Sequence, residues 1–121
     1  ATVNSRSERF FLKIIAGKKN QDVIPVHKWM SSSGGHNEVY IGRAFACEIQ
    51  MNWEKNNEDI AGKHAKMYIN SRGLPVIITL LRDKIVNFND RFNLDVGKEY
   101  QLYNGVRFKI GQTVFQYIES D

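Results

Sequence analysis

Arg43 is the residue of this sequence most readily given a chemical task. It follows Gly42 at the exit of an extended run, Glu38-Val39-Tyr40-Ile41-Gly42, where a guanidinium projects from a loop rim and offers a planar fork suited to phosphate oxygens. A surface ion pair would use the same placement. His64, in Gly62-Lys63-His64-Ala65 at the entry to an amphipathic strand, suits a hydrogen bond to the backbone better than proton transfer. The other candidates carry less. His27, His36 and His64 are widely separated and none has a second ligand type at metal spacing, so no metal site is expected. Ser31, Ser32 and Ser33 lack the strand-nucleophile-helix elbow that makes a serine reactive, and the adjoining Gly34-Gly35 is too short to cradle a phosphate. The single cysteine, Cys47, excludes an intrachain disulfide framework and a cysteine-based zinc site. With no nucleophile, acid-base pair, metal cluster or cofactor loop at motif strength, the sequence predicts a non-enzymatic interaction module that needs no cofactor.

The elements that position these residues read as strands. Phe10 to Ile15 is dense in aromatic and β-branched residues, stops at the turn cluster Gly17-Lys18-Lys19-Asn20, and is followed by a second extended run from Val23 to His27. These two runs predict a hairpin, with Pro25 at an edge because it cannot donate to a ladder. Cys47 to Met51 alternates, with Cys47, Ile49 and Met51 inward. Residues 52 to 62 read as a long exposed connection. His64 to Asn70 alternates again, Pro75 to Leu81 is a fully buried strand candidate, and a turn is expected at Asn89-Asp90. Tyr100 to Ile110 predicts strand, Asn104-Gly105 type I′ turn, strand, with a further reversal at Gly111-Gln112. Many short strands and no strong helix argue for an all-β sandwich or barrel, with Phe10, Leu12, Ile14, Val39, Ile41, Ile49, Met67, Ile69, Ile77, Phe108, Ile110 and Phe115 as its core.

The chain has 121 residues, 42% of them hydrophobic and 25% charged, which is enough for one core and not for two. It is expected to form a flexible segment at 1–9 and one domain at 10–121. No apolar run approaches the roughly 18 residues of a spanning helix, and the polar start shows no secretion signal. The absence of an initiator Met suggests a processed chain or an excised domain. A net charge of +4 favours anionic partners without naming one. A basic β-domain that binds nucleic acid is the rival reading, weakened because most aromatics fall at strand positions that a core would claim.

Ile41-Gly42-Arg43, then Asp59-Ile60-Ala61-Gly62-Lys63-His64-Ala65, then Val86-Asn87, and finally Leu102 to Gly111 with Asn104-Gly105 at its centre, resemble in order and spacing the motifs of the forkhead-associated (FHA) domain family. The resemblance runs from about Phe10 to Ile118. It implies an antiparallel two-sheet β-sandwich that recognises phosphothreonine peptides on loops at one end, and so a protein partner and a cytoplasmic setting. On this likeness Arg43 matches the phosphate-contacting arginine, Gly42 and His64 the supports of the binding loops, and Asn87 the Asn of the Val-Asn-Gly motif. The sequence also departs from the family. The phosphate-donating serine falls on Ala61, the Asn-Gly-Thr motif falls on Arg82-Asp83-Lys84, and Phe88 replaces the Gly after Val-Asn. Losing the serine removes a charge-assisted hydrogen bond of roughly 1.5 to 3 kcal/mol and losing the loop Asn removes a peptide anchor of similar type, so affinity for an ordinary phosphopeptide is expected to fall by about one to three orders of magnitude. Lys63, Arg82 and Lys84 are the expected compensating cations, and Ser31 to Ser33 are possible further donors. Phosphate-independent scaffolding stays open as the alternative.

Overall fold

The computed structural model describes residues 9–17, 21–30, 38–53, 60–81 and 86–120. Among them, eleven short strands build two facing sheets. In chain order they are β1 (Arg9–Ala16), β2 (Val23–Pro25), β3 (Glu38–Gly42), β4 (Ile49–Gln50), β5 (Ala65–Ile69), β6 (Pro75–Thr79), β7 (Asn87–Phe88), β8 (Phe92–Asn93), β9 (Tyr100–Gln101), β10 (Arg107–Ile110) and β11 (Thr113–Ser120). One sheet has six strands in the order β2-β1-β11-β10-β7-β8, and the other has five in the order β4-β3-β5-β6-β9. All strand pairs are antiparallel except β3 with β4. No helix among the described residues is long and apolar enough to cross a membrane.

Period-two alternation creates the core. Phe10, Leu12 and Ile14 of β1 point inward with Phe108 and Ile110 of β10 and Phe115 and Tyr117 of β11, facing Val39, Ile41, Met67 and Ile77 of the other sheet. Of the twelve expected core residues all are buried except Ile69, which packs against the core's margin. β1 begins at Arg9, paired with Ser120, one residue before the boundary drawn from the sequence. The expected hairpin of β1 with β2 forms, and Pro25 ends an edge strand. Val26 and His27 do not continue that strand. They enter a single 3₁₀ turn, Val26–Lys28, which turns Val26 and Met30 into the core.

Four other segments differ from the sequence expectation. Of the connection at 52–62, expected to be exposed, Ile60 and Ala61 are buried. The run at 47–51 keeps its alternation of burial, yet only Ile49 and Gln50 pair, parallel to Ile41 and Gly42. β6 stops at Thr79, and Leu81 beyond it is exposed. Asn104-Gly105 does not close a hairpin. β9 belongs to the five-stranded sheet and β10 to the other, so this turn carries the chain between sheets. Only Gly105 has positive φ, at 93°, with Val106 N donating to Tyr103 O, which is the type II pattern. Two consecutive positive φ values, as a type I′ turn requires, occur at Asn89 (56°) and Asp90 (60°) between β7 and β8.

Candidate functional site

Ile41, Ala65 and Thr79 lie side by side in register, so β3, β5 and β6 reach one end of the five-stranded sheet together. The loops leaving that end bring Arg43 beside Ile60, Ala61, Gly62 and His64. Arg43 N donates to Ala61 O at 3.0 Å, Ala44 N to Gly62 O at 2.9 Å, and His64 N to Ile41 O at 2.8 Å. This contact is close because position 42 has no side chain: a Cβ there would lie 2.1 Å from Gly62 O. His64 is fully buried, and its Nδ1 accepts from Ala61 N at 3.1 Å, which puts the ring proton on Nε2. The histidine is therefore a brace inside the loop and not a group facing solvent.

Arg43 itself is exposed, but its side chain is anchored. Nε donates to Ile60 O at 2.6 Å, and among the described residues the two Nη nitrogens have no partner. A guanidinium held by one edge presents its outer edge already oriented, so less rotamer freedom is lost when it meets an oxyanion. The next loop is pinned to the same carbonyls. Cys47 N closes a turn on Ala44 O at 3.0 Å, and Cys47 Sγ donates to Gly62 O at 3.1 Å. Burial raises the Cys47 thiol pKa above its ordinary value, so this sulfur stays protonated and donating at neutral pH. Trp53 Nε1 donates to Thr113 Oγ1 at 3.0 Å and ties the segment after β4 to the β10–β11 turn of the other sheet.

Of the residues expected to form the site, Gly42, Arg43, Lys63 and His64 meet here. Lys63 shares the loop, but its Nζ sits 4.5 Å from the centroid of the Tyr40 ring on the outer face of the sheet. An exposed cation–π contact is worth about 0.5–1 kcal/mol, less than a charge-assisted bond to phosphate, so it holds Lys63 only weakly. Asn87 lies in the six-stranded sheet opposite Lys109 and Asn93, and its Nδ2 donates to Asn93 Oδ1 at 3.2 Å. No described contact joins it to Arg43. Arg82 and Lys84, like Ser31 to Ser33 and Gly34-Gly35, lie outside the described residues. Among the described residues no three His, Cys, Asp or Glu side chains gather as a metal site.

Sequence reasoning missed two residues of this end. The sequence pattern places Cys47 inward on a strand and gives it no part in the loop end, and it does not single out Phe45. Phe45 is 92% exposed, at the centre of the Ala44–Cys47 turn. An aromatic flanked by two alanines directly after a Gly-Arg break, and outside any alternating run, was the available signal.

No family sequence model and no curated protein sequence matches the chain. Solved structures do match, several FHA domains among them. The FHA domain of an Arabidopsis thaliana hypothetical protein has a TM-score of 0.74 at 20% identity, over 100% of this chain and 96% of that one. The FHA domain of the CT664 protein of Chlamydia trachomatis has a TM-score of 0.67 at 19% identity, over 93% and 99%. The N-terminal FHA domain of Rad53p from S. cerevisiae, in complex with a phosphothreonine peptide, has a TM-score of 0.66 at 11% identity, over 92% and 94%. The chain has the FHA fold: a two-sheet sandwich, mostly antiparallel, along its whole described length.

Proposed function

We propose that this domain is a non-enzymatic interaction module that binds phosphothreonine-containing segments of protein partners at the loop end around Arg43. The observation that carries the reading is the anchored guanidinium: exposed, fixed through Nε to Ile60 O, and seated on a loop braced by Gly42 and His64. Arg43 contacts phosphate directly. Lys63 adds charge on leaving Tyr40, and Arg82 and Lys84, which follow β6 in the chain, are the further cations assigned to the site. The FHA fold supports this reading, since solved domains of the same fold bind phosphothreonine peptides. Asn87 is the weakest member, because its amide is engaged by Asn93. A cytoplasmic setting goes with this reading by analogy with the FHA family.

Ala61 favours a second reading, phosphate-independent association, because the loop presents no hydroxyl at that position. A paired isothermal titration separates the two. A phosphothreonine peptide library should bind at least about tenfold tighter than its unphosphorylated twin, or 1.4 kcal/mol, and Arg43→Ala should abolish the difference. Equal affinities, or a preference untouched by Arg43→Ala, would leave the second reading standing.

A further inference from the structure

Phe45 is at 92% the most exposed large apolar side chain among the described residues. Its neighbours in exposure fall well short: Val23 at 52% and Tyr103 at 49% come next. It does not hang on a loose loop. The turn that carries it closes from Cys47 N to Ala44 O, and both ends of that turn are bonded to Gly62 O, through Ala44 N and Cys47 Sγ. The two residues before Gly62 hold Arg43, Ile60 O through Nε and Ala61 O through the backbone N. One three-residue segment therefore fixes the guanidinium and the backbone turn that carries the aromatic ring. Ala44 and Ala46 on either side leave the ring unscreened.

A phenyl ring held in water costs solvation free energy that only a partner recovers, and a ring on a pinned turn can be covered without ordering the backbone that carries it. Arg43 and Phe45 are two positions apart in the chain, so their Cα atoms are at most about 7 Å apart. An extended ligand advances about 3.3 Å per residue, and a residue within two positions of a phosphate on Arg43 reaches the ring. We infer that Phe45 is a specificity-determining residue, packing against a bulky apolar side chain of the ligand within two residues of its phosphothreonine. The inference rests on the phosphopeptide reading of Arg43. A phosphopeptide is the occupant favoured over a membrane surface because the ring stands alone beside an oriented guanidinium and a recruitable ammonium, an arrangement that matches one anion and one apolar group on a single ligand.

The test is a set of phosphothreonine peptides with Leu, Phe, Ser or Lys at each of the four positions flanking the phosphothreonine, titrated into the protein, Phe45→Ala and Arg43→Ala. The expected result is a preference of at least about tenfold for Leu or Phe at one flanking position. Phe45→Ala should remove it and keep the preference for phosphate. Because the ring touches solvent and not the core, Phe45→Ala should unfold at the same temperature as the protein. Phosphate-dependent binding with no apolar preference, or with one that survives Phe45→Ala, overturns the role of Phe45 and leaves the phosphate reading intact. Phosphate-independent binding throughout overturns both. Two controls complete the set: sedimentation with anionic phosphatidylserine vesicles, and sedimentation equilibrium of the protein alone. Vesicle binding or dimerisation lost in Phe45→Ala would assign the ring to a membrane or to a second copy, and would overturn the inference.

Discussion

The five-stranded sheet carries two polar constructions that differ in what they are made from. At the β3–β5 end, the loop clamp consists mainly of backbone groups: carbonyls of Ile41, Ile60, Ala61 and Gly62 receive bonds from Arg43, Ala44, Cys47 and His64. On the outer face of the sheet, side chains meet side chains. Lys66 Nζ lies 3.1 Å from Glu38 and 5.1 Å from the Tyr68 ring centroid, while Tyr68 and Asn70 both donate to Glu99. Most of the clamp's members, Ile41, Cys47, Ile60, Ala61 and His64, are buried and cannot exchange their bonds for water without opening the loop. The outer cluster is wet, and each of its members can be solvated where it stands. Energetically the first should behave as part of the fold and the second as a surface decoration.

Gly42→Ala is the severest way to break this contrast. The added methyl would overlap Gly62 O, a backbone atom that cannot swing aside, so the loss should be about 3 kcal/mol, the upper end of overpacking costs. His64→Ala should lose about 2 kcal/mol by leaving Ala61 N–H buried without its acceptor. Urea denaturation of each variant measures both. A loss below about 0.5 kcal/mol in Gly42→Ala would mean that the loop has another packing available and that the clamp is not part of the fold.

The same contrast explains what the sequence made legible. Backbone constructions leave few side-chain signatures, but those few are informative: a glycine where a carbonyl comes close, and a histidine that must reach an amide. His64 is readable as a histidine bonded to the backbone, Gly42 only through the family resemblance, and the strand alternation that aligns them is readable as well. The carbonyls that anchor Arg43 were not, since every residue has one. The outer cluster was invisible for the opposite reason, because Tyr68 and Glu99 are ordinary surface residues until strand register places them together, 31 positions apart in sequence. Asn104-Gly105 misled because positive φ at Gly105 alone satisfies a type II turn, and local turn chemistry does not say whether the next strand pairs with the last one. Asn87 was assigned to the site by motif, and the motif did not carry the information that Asn93 would engage its amide.

A smaller effect sharpens the clamp's side of the contrast. Ala61 is buried, with its N–H given to His64 and its carbonyl to Arg43 N, so the loop that would present a hydroxyl keeps its bracing without one. Ala61→Ser should therefore tighten binding of a phosphothreonine peptide by about tenfold, roughly one charge-assisted hydrogen bond, at little cost in stability. Titration of one peptide against both proteins decides it. No gain would mean that the hydroxyl points away from the anion, and that Lys63 and its neighbouring cations do the work alone.

The smallest effect belongs to the outer cluster and reads out as a titration. Burial, then the bond and the charge of Glu99, push Tyr68 up to about 12. Glu99 moves the other way: the hydrogen bonds from Tyr68 and Asn70 hold its carboxyl below the ordinary value. The signs set a window. A tyrosine raised on folding contributes stability in full below its unfolded value of about 10, and that contribution fades between about 10 and 12. A carboxylate lowered on folding contributes above its unfolded value, about 4.3, and loses that contribution as pH falls through the folded one. The pair should therefore hold from mildly acid pH to about pH 10. Ultraviolet difference spectra between the protein and Tyr68→Phe isolate this phenol from the other four tyrosines. Its ionisation should centre near 12 and move down toward 10 in Glu99→Gln, without reaching it, because burial remains. Neither variant should change stability at pH 7 by more than about 0.5 kcal/mol, and neither should alter phosphopeptide affinity. A Tyr68 that ionises near 10 in the protein would show that Glu99 does not hold it. A Glu99→Gln variant that loses peptide affinity would show that the two constructions are coupled through β5, and the division drawn between them would fail.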